Sequence, residues 1–194
     1  GRPSNPAEGQ AVGQARAARD FFLVHGPPGT GKSTVLGEIA VQEAAQGRRI
    51  LATAASNAAV DHLLELCLDR GLRVLRIGHP ARVAERLQAH TLDVQVEAHA
   101  DKKLASELLD EAFDLQGYAR KPRTRRRSHD RFSNAREAQA EARRLFAEAR
   151  SLEKRAVAQI VDGAQVICAT CTALGGSILR ERRFDVALLD EATQ

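Results

Sequence analysis

Hydrophobic and polar positions follow two periods along this chain. Short apolar runs at Phe21-Phe22-Leu23-Val24, Ile50-Leu51-Ala52-Thr53-Ala54, Leu72 to Ile77, Ala164 to Thr170 and Phe184 to Glu191 predict five strands. Helical spacing separates them. Ala11, Val12, Ala15 and Ala18 predict a short helix from Glu8 to about Ala18, and the stretch after Lys32 predicts a helix to about Gln46 with Gly47 as its left-handed stop. Val60, Leu63, Leu64, Cys67 and Leu68 fall on one face of a helix that Ser56 is placed to cap and that ends before Gly71. Pro80 suits the first turn of a further short helix reaching about Gln88. Strands alternating with helices predict an α/β fold: a parallel sheet with helices on both faces.

The alternation stops between the third and fourth runs. Leu104, Leu108, Ala112 and Leu115 form one helical stripe; Ala138, Ala142, Leu145, Ala149, Leu152 and Ala156 form another with alternating four and three spacing. Two such helices joined by a polar stretch predict an antiparallel helical hairpin, inserted into the α/β domain. The expected organisation is therefore residues 1–92 and 163–194 as two parts of one domain and 93–162 as the insertion. Its tip, Arg120 to Arg131, holds seven Lys/Arg against one Asp, a local +6 in a chain of net +4. Such a loop is either simply solvated or matched by a polyanion.

Composition narrows the class. Apolar residues make up 43% but aromatics only 4%, so the core is aliphatic and alanine-rich. No run approaches the roughly 18 apolar residues of a membrane span, and there is no leader pattern. The expectation is a cytoplasmic, nucleoid or nuclear protein with no membrane partner. Cys168 and Cys171 have C-x-x-C spacing without a second pair, which is not a zinc framework. Methionine is absent, including at position 1, and the chain stops on Asp190-Glu191-Ala192-Thr193-Gln194, so a piece of a longer protein is expected.

Candidate chemistry lies at the ends of two strands. Gly26-Pro27-Pro28-Gly29-Thr30-Gly31-Lys32-Ser33-Thr34 follows the first apolar run and opens a helix, fitting G-x-x-x-x-G-K-[ST]. Glycines let successive N–H groups curl round an anion, and the helix start adds its unsatisfied N–H groups. In this motif Lys32 reaches the terminal phosphates of a nucleotide and the Ser33 hydroxyl holds Mg²⁺. The last strand ends in Asp190-Glu191, carboxylates suited to hold that metal and to polarise a water.

Together, the phosphate loop, Ala54-Ala55-Ser56-Asn57-Ala58-Ala59-Val60-Asp61, Ile77-Gly78-His79-Pro80-Ala81-Arg82, Cys168-Ala169-Thr170-Cys171-Thr172 and the D-E-x-x-Q ending resemble superfamily 1 helicases. The branch is the nonsense-mediated-decay helicase type and, within it, the immunoglobulin mu-binding protein type. The resemblance covers essentially the whole chain. It implies the N-terminal RecA-like motor half of a P-loop NTPase, using ATP and Mg²⁺. By resemblance, Gly29, Thr30, Gly31, Lys32 and Ser33 bind phosphates and metal, Asp190 the metal and Glu191 the water, while Gln194 senses the γ-phosphate. Ser56, Asn57, Thr170 and Thr172 match positions that touch the backbone of single-stranded DNA or RNA. For Ser56 a plain helix cap is an equal alternative, and the two roles are compatible. Arg123, Arg125, Arg126 and Arg127 at the hairpin tip are further candidate phosphate contacts. Two departures stand out. Ala7-Glu8 occupies the place of Ser-Gln in the adenine-reading motif, and a carboxylate accepts from the adenine amino group but cannot donate to the neighbouring ring nitrogen. Ala55 replaces a proline.

The resulting expectation is an ATP-dependent DNA or RNA helicase, against two alternatives: a nucleic-acid-binding module whose ATP site only switches affinity, or a phosphate-loop small-molecule kinase. In the resembled class a strand after D-E-x-x-Q lies between the phosphate-loop strand and the Asp-Glu strand, and a second RecA-like domain completes the site. Residues 1–194 alone are thus expected to hydrolyse ATP negligibly and to associate.

Overall fold

The structure is a computed structural model that describes residues 6–27, 29–120, 128–180 and 182–192, with only the backbone described at 118–120 and 128–134. Two units result: residues 1–94 with 161–194, and residues 95–160. Helix α1 spans Pro6–Ala17 and α2 Lys32–Ala45. Strand β1 (Ile50–Ala54), α3 (Asn57–Leu68) and β2 (Val74–Ile77) follow. After α4 (Leu92–Ala98) come α5 (Ala100–Arg120) and α6 (Ser128–Gly163). The chain then returns to β3 (Val166–Thr170), a short α7 (Ser177–Arg180) and β4 (Val186–Leu189).

The sheet is parallel throughout, in the order β2-β3-β1-β4. Strand β1 lies between β3 and β4, with Ala54 opposite Thr170 and Thr53 opposite Leu189. Their C-terminal ends therefore share one edge, where open α/β sheets bind ligands. Ile50, Ala52 and Ala54 alternate inward to meet Val35, Ile39 and Ala40 of α2 and Val60, Leu63 and Leu64 of α3, all fully or nearly buried. Helix α3 starts as the periodicity predicts, with the Ser56 Oγ accepting the Ala59 N–H at 3.1 Å. Buried Glu43 of α2 pairs with Arg16 of α1 at 3.3 Å and with Arg48 at 2.5 Å, which ties α1 against α2. Among the described residues no helix is long and apolar enough to cross a membrane.

Three expectations need correction. Phe21 to Val24 is not a strand: Phe21 is 87% and Leu23 72% exposed. An apolar extended run becomes a strand only when a neighbour pairs its N–H and C=O groups, and among the described residues the sheet ends at β4. The predicted helix from Pro80 to Gln88 is two 3₁₀ turns, Pro80–Arg82 and Glu85–His90. The break falls at Ala84, whose N–H is taken by the Asp61 carboxylate at 3.1 Å. On α5 the seam residue is Ala105, fully buried, whereas Leu104 is 44% exposed.

In the second unit α5 and α6 are antiparallel, because Asp101 meets Arg155 near one end and Phe113 meets Phe146 further along. All six residues of the α6 heptad stripe are buried. Ala105 packs with Ala149 and Leu152, and Ala112 with Ala142 and Leu145. Alanines facing each other at both levels bring the helices close together.

Candidate active site

The loop before α2 is built from backbone that only glycine accepts readily. Gly29 has φ 77° and Gly31 φ 87°, left-handed values costly for residues with a Cβ. A Cβ at Gly31 would also stand 2.5 Å from the Glu8 carboxylate oxygen, so the Glu8 side chain would have to swing aside to admit it. The Glu8 carboxylate thus lies directly against the phosphate loop. The Lys32 ammonium donates to the carbonyls of Gly26 at 2.8 Å and Pro27 at 2.9 Å, and the Thr30 hydroxyl to Pro27 at 2.7 Å. These bonds curl the loop around its own lysine. They leave one of the three ammonium protons directed elsewhere.

Across the site, the Ser33 hydroxyl donates to the Asp190 carboxylate at 3.1 Å, joining positions 157 apart in sequence. Asp190 is fixed from two further sides: its N–H donates to the Thr53 carbonyl at 2.9 Å, and its other carboxylate oxygen accepts the Glu191 N–H at 3.0 Å. Glu191 adopts φ 54°, a left-handed conformation rare outside glycine and asparagine. It turns the chain sharply off the end of β4. A hydroxyl and a carboxylate are hard oxygen donors, and they match the one or two protein ligands Mg²⁺ takes when phosphates and water supply the rest. No group of three or more His, Cys, Asp or Glu side chains able to hold a metal occurs among the described residues, which is compatible with so sparse a donor set.

The same sheet edge carries the other candidates. Thr170 ends β3 beside β1, and its hydroxyl lies 3.1 Å from that of Thr172. Ser56 caps α3 two residues past β1. Asn57 is engaged: its Oδ1 accepts from Arg76 at 2.9 Å. Thr34 is exposed on α2. Pro28, Gln194, Arg123, Arg125, Arg126 and Arg127 lie outside the described residues. Of the cysteines in the C-x-x-C pair, Cys168 is buried and Cys171 exposed, 3.5 Å from the Thr53 hydroxyl. Burial raises the Cys168 thiol well above its usual range and pushes Cys67 up to about 11, so both pack as inert apolar side chains.

Sequence reasoning missed Arg76. Its position in an alternating strand suggests a solvated side chain, yet it is fully buried. Its guanidinium donates to Asp61 at 3.1 Å, to the Ile77 carbonyl at 2.6 Å and to Asn57 at 2.9 Å. Asp61 in turn holds the Ala84 N–H. The signal was Asp61 itself, a carboxylate next to Val60 on the apolar side of α3, which requires a buried cation.

The chain matches the family described as AAA domain over residues 3–194. DNA-binding protein SMUBP-2 of Mesocricetus auratus is 34% identical over 194 residues, covering 98% of this chain and 19% of that protein. DNA polymerase alpha-associated DNA helicase A of Schizosaccharomyces pombe is 32% identical over 190 residues, 98% of this chain and 28% of that protein. A Regulator of nonsense transcripts 1 homolog of Arabidopsis thaliana is 33% identical over 181 residues, 91% of this chain and 13% of its own length. The chain thus spans about a third or less of the length of these relatives. With its parallel sheet flanked by helices and the phosphate loop at the sheet's C-terminal edge, the chain belongs to the AAA domain family and, within it, to the superfamily 1-like helicases related to SMUBP-2 and the regulators of nonsense transcripts.

Proposed function

We propose that this chain is the ATP-binding, N-terminal motor half of a helicase that moves along single-stranded DNA or RNA at the expense of ATP. The observation that carries the reading is the Ser33–Asp190 hydrogen bond, which joins the phosphate loop and the Asp-Glu strand at one sheet edge. In this reading Gly26 to Thr34 cradle the phosphates, with Gly29 and Gly31 directing N–H groups inward. Lys32 turns from its loop carbonyls to the terminal phosphates. Ser33 and Asp190 hold Mg²⁺, which when bound neutralises charge on the transferring phosphoryl group. Glu191 positions and deprotonates the attacking water, and Gln194 reports the γ-phosphate to a second RecA-like domain. Ser56, Asn57, Thr170 and Thr172, at or just past the C-terminal ends of β1 and β3, contact the nucleic-acid backbone without reading sequence. The basic tip residues Arg123, Arg125, Arg126 and Arg127 add electrostatic attraction to it.

Lys32→Ala in the full-length protein tests this. ATP turnover stimulated by single-stranded nucleic acid is expected to fall about a hundredfold or more, the usual loss when a charge-stabilising contact is removed, with nucleic-acid binding retained. Turnover within tenfold of wild type would reject the assignment. Nucleotide binding without any stimulated turnover in the wild type would favour an ATP-switched binding module instead.

A further inference from the structure

Helix α6 carries a second pattern on the side opposite its buried seam. Arg136, Arg143 and Arg150 recur at heptad spacing and Lys154 extends the row, all four exposed. At 3.6 residues per turn they share one face, and at 1.5 Å per residue the row runs about 27 Å. Ala140 and Ala147, also exposed, fill the positions between. The acidic residues of this stretch lie elsewhere: Glu137, Glu141 and Glu148 form a separate row on another flank. Glu153 is neutralised by Lys102 of α5 at 2.7 Å. Among the described residues none of the four cations joins an ion pair, whereas Arg144 and Arg155 pair with Glu141 and Asp101. Unpaired like charges repel one another along the row and favour a polyanion laid against it.

Two neighbouring features narrow the occupant. Arg150 and Lys154, with Val157 and Glu153, line an open depression of about 320 Å³. Phe146, three residues after Arg143 and four before Arg150, borders the row, and its ring packs edge-on against Phe113 at 5.1 Å. Phe113 is itself 59% exposed. A row of exposed cations, two of them lining a depression, with an exposed aromatic ring alongside suits a single strand, whose phosphates meet the cations while a base stacks on the ring. The small alanines between the cations let a sugar-phosphate backbone approach the helix surface.

We propose that this face of α6 is a single-stranded nucleic-acid track, with Arg136, Arg143, Arg150 and Lys154 contacting phosphates and Phe113 stacking a base. The site is separate from the tip residues 120–131, and it rests on the reading that the protein binds single strands. The test uses the full-length protein and a fluorescent oligothymidine, titrated from 50 to 200 mM salt. Changing all four cations to Gln removes the charges while keeping helix propensity. It is expected to lower affinity at least tenfold and to reduce the salt slope by about three, near 0.7 per lost contact on a single strand. Replacing the three arginines by Lys should keep the slope, because phosphate contacts require only charge. Phe113→Leu should weaken binding roughly tenfold at unchanged slope. An unchanged slope in the Gln variant, with wild-type binding intact, overturns the track and leaves the helicase reading standing. Wild type that binds no single strand overturns both.

Discussion

The sheet unit and the hairpin unit handle charge in opposite ways. In the first, Arg76 sits under the sheet edge with no exposure and spends its donors on Asp61, Asn57 and the Ile77 carbonyl. That network locks the start of α3 to the end of β2, beside the candidate nucleic-acid positions. In the second, the ionic contacts between α5 and α6 lie at the surface while alanine and leucine make the seam. The sheet unit is therefore specified by polar contacts that admit few alternatives, the hairpin by apolar periodicity with interchangeable charges.

Arg76→Ala should break this contrast most severely. It leaves the Asp61 carboxylate buried without a counter-charge, a change that costs about 3–5 kcal/mol. Thermal unfolding should show a large drop, and a loss below about 1 kcal/mol would mean that water replaces the guanidinium freely. In the hairpin the sensitive position is apolar. Ala149→Leu forces a larger side chain into the contact with Ala105 and should cost about 1–3 kcal/mol, while exposed Ala147→Leu should stay within about 0.5 kcal/mol. Equal effects of the two in denaturant titrations would contradict the observed seam.

Ser56→Ala sharpens the comparison at the sheet edge. Loss of the cap should cost about 1 kcal/mol. If oligonucleotide affinity of the folded variant is also reduced, Ser56 serves both roles; unaltered affinity makes it a cap alone. The smallest effect belongs to the surface pair of the hairpin. A hydrogen bond from Arg155 holds the Asp101 carboxyl below its ordinary value of 3.8. Its stabilising contribution is thus present above that value and lost as pH falls through the lowered folded one. Asp101→Asn should lower the hairpin's melting temperature only slightly at pH 6, because solvent screens such a pair, and by less at pH 2, where the carboxyl is increasingly protonated. A difference that grew toward low pH would reverse the sign of the linkage.

Local order in the chain was enough for those parts of the molecule whose physics is local. The glycines, Lys32 and Ser33 are consecutive, so their loop and helix start follow from backbone conformation and spacing. Ser56 reaches an N–H only three residues away, and the α6 seam repeats within single turns. Tertiary structure alone decided the rest. Asp190 comes within hydrogen-bonding distance of Ser33 only because β4 is laid beside β1. Glu8 touches Gly31 only because α1 packs on α2. Arg76 is buried because α3 delivers Asp61 to its strand face, and the polar side of an alternating pattern does not say whether it meets water or a carboxylate. Phe21 to Val24 has a strand's composition without a strand's structure, because pairing belongs to two segments and a sequence pattern describes only one.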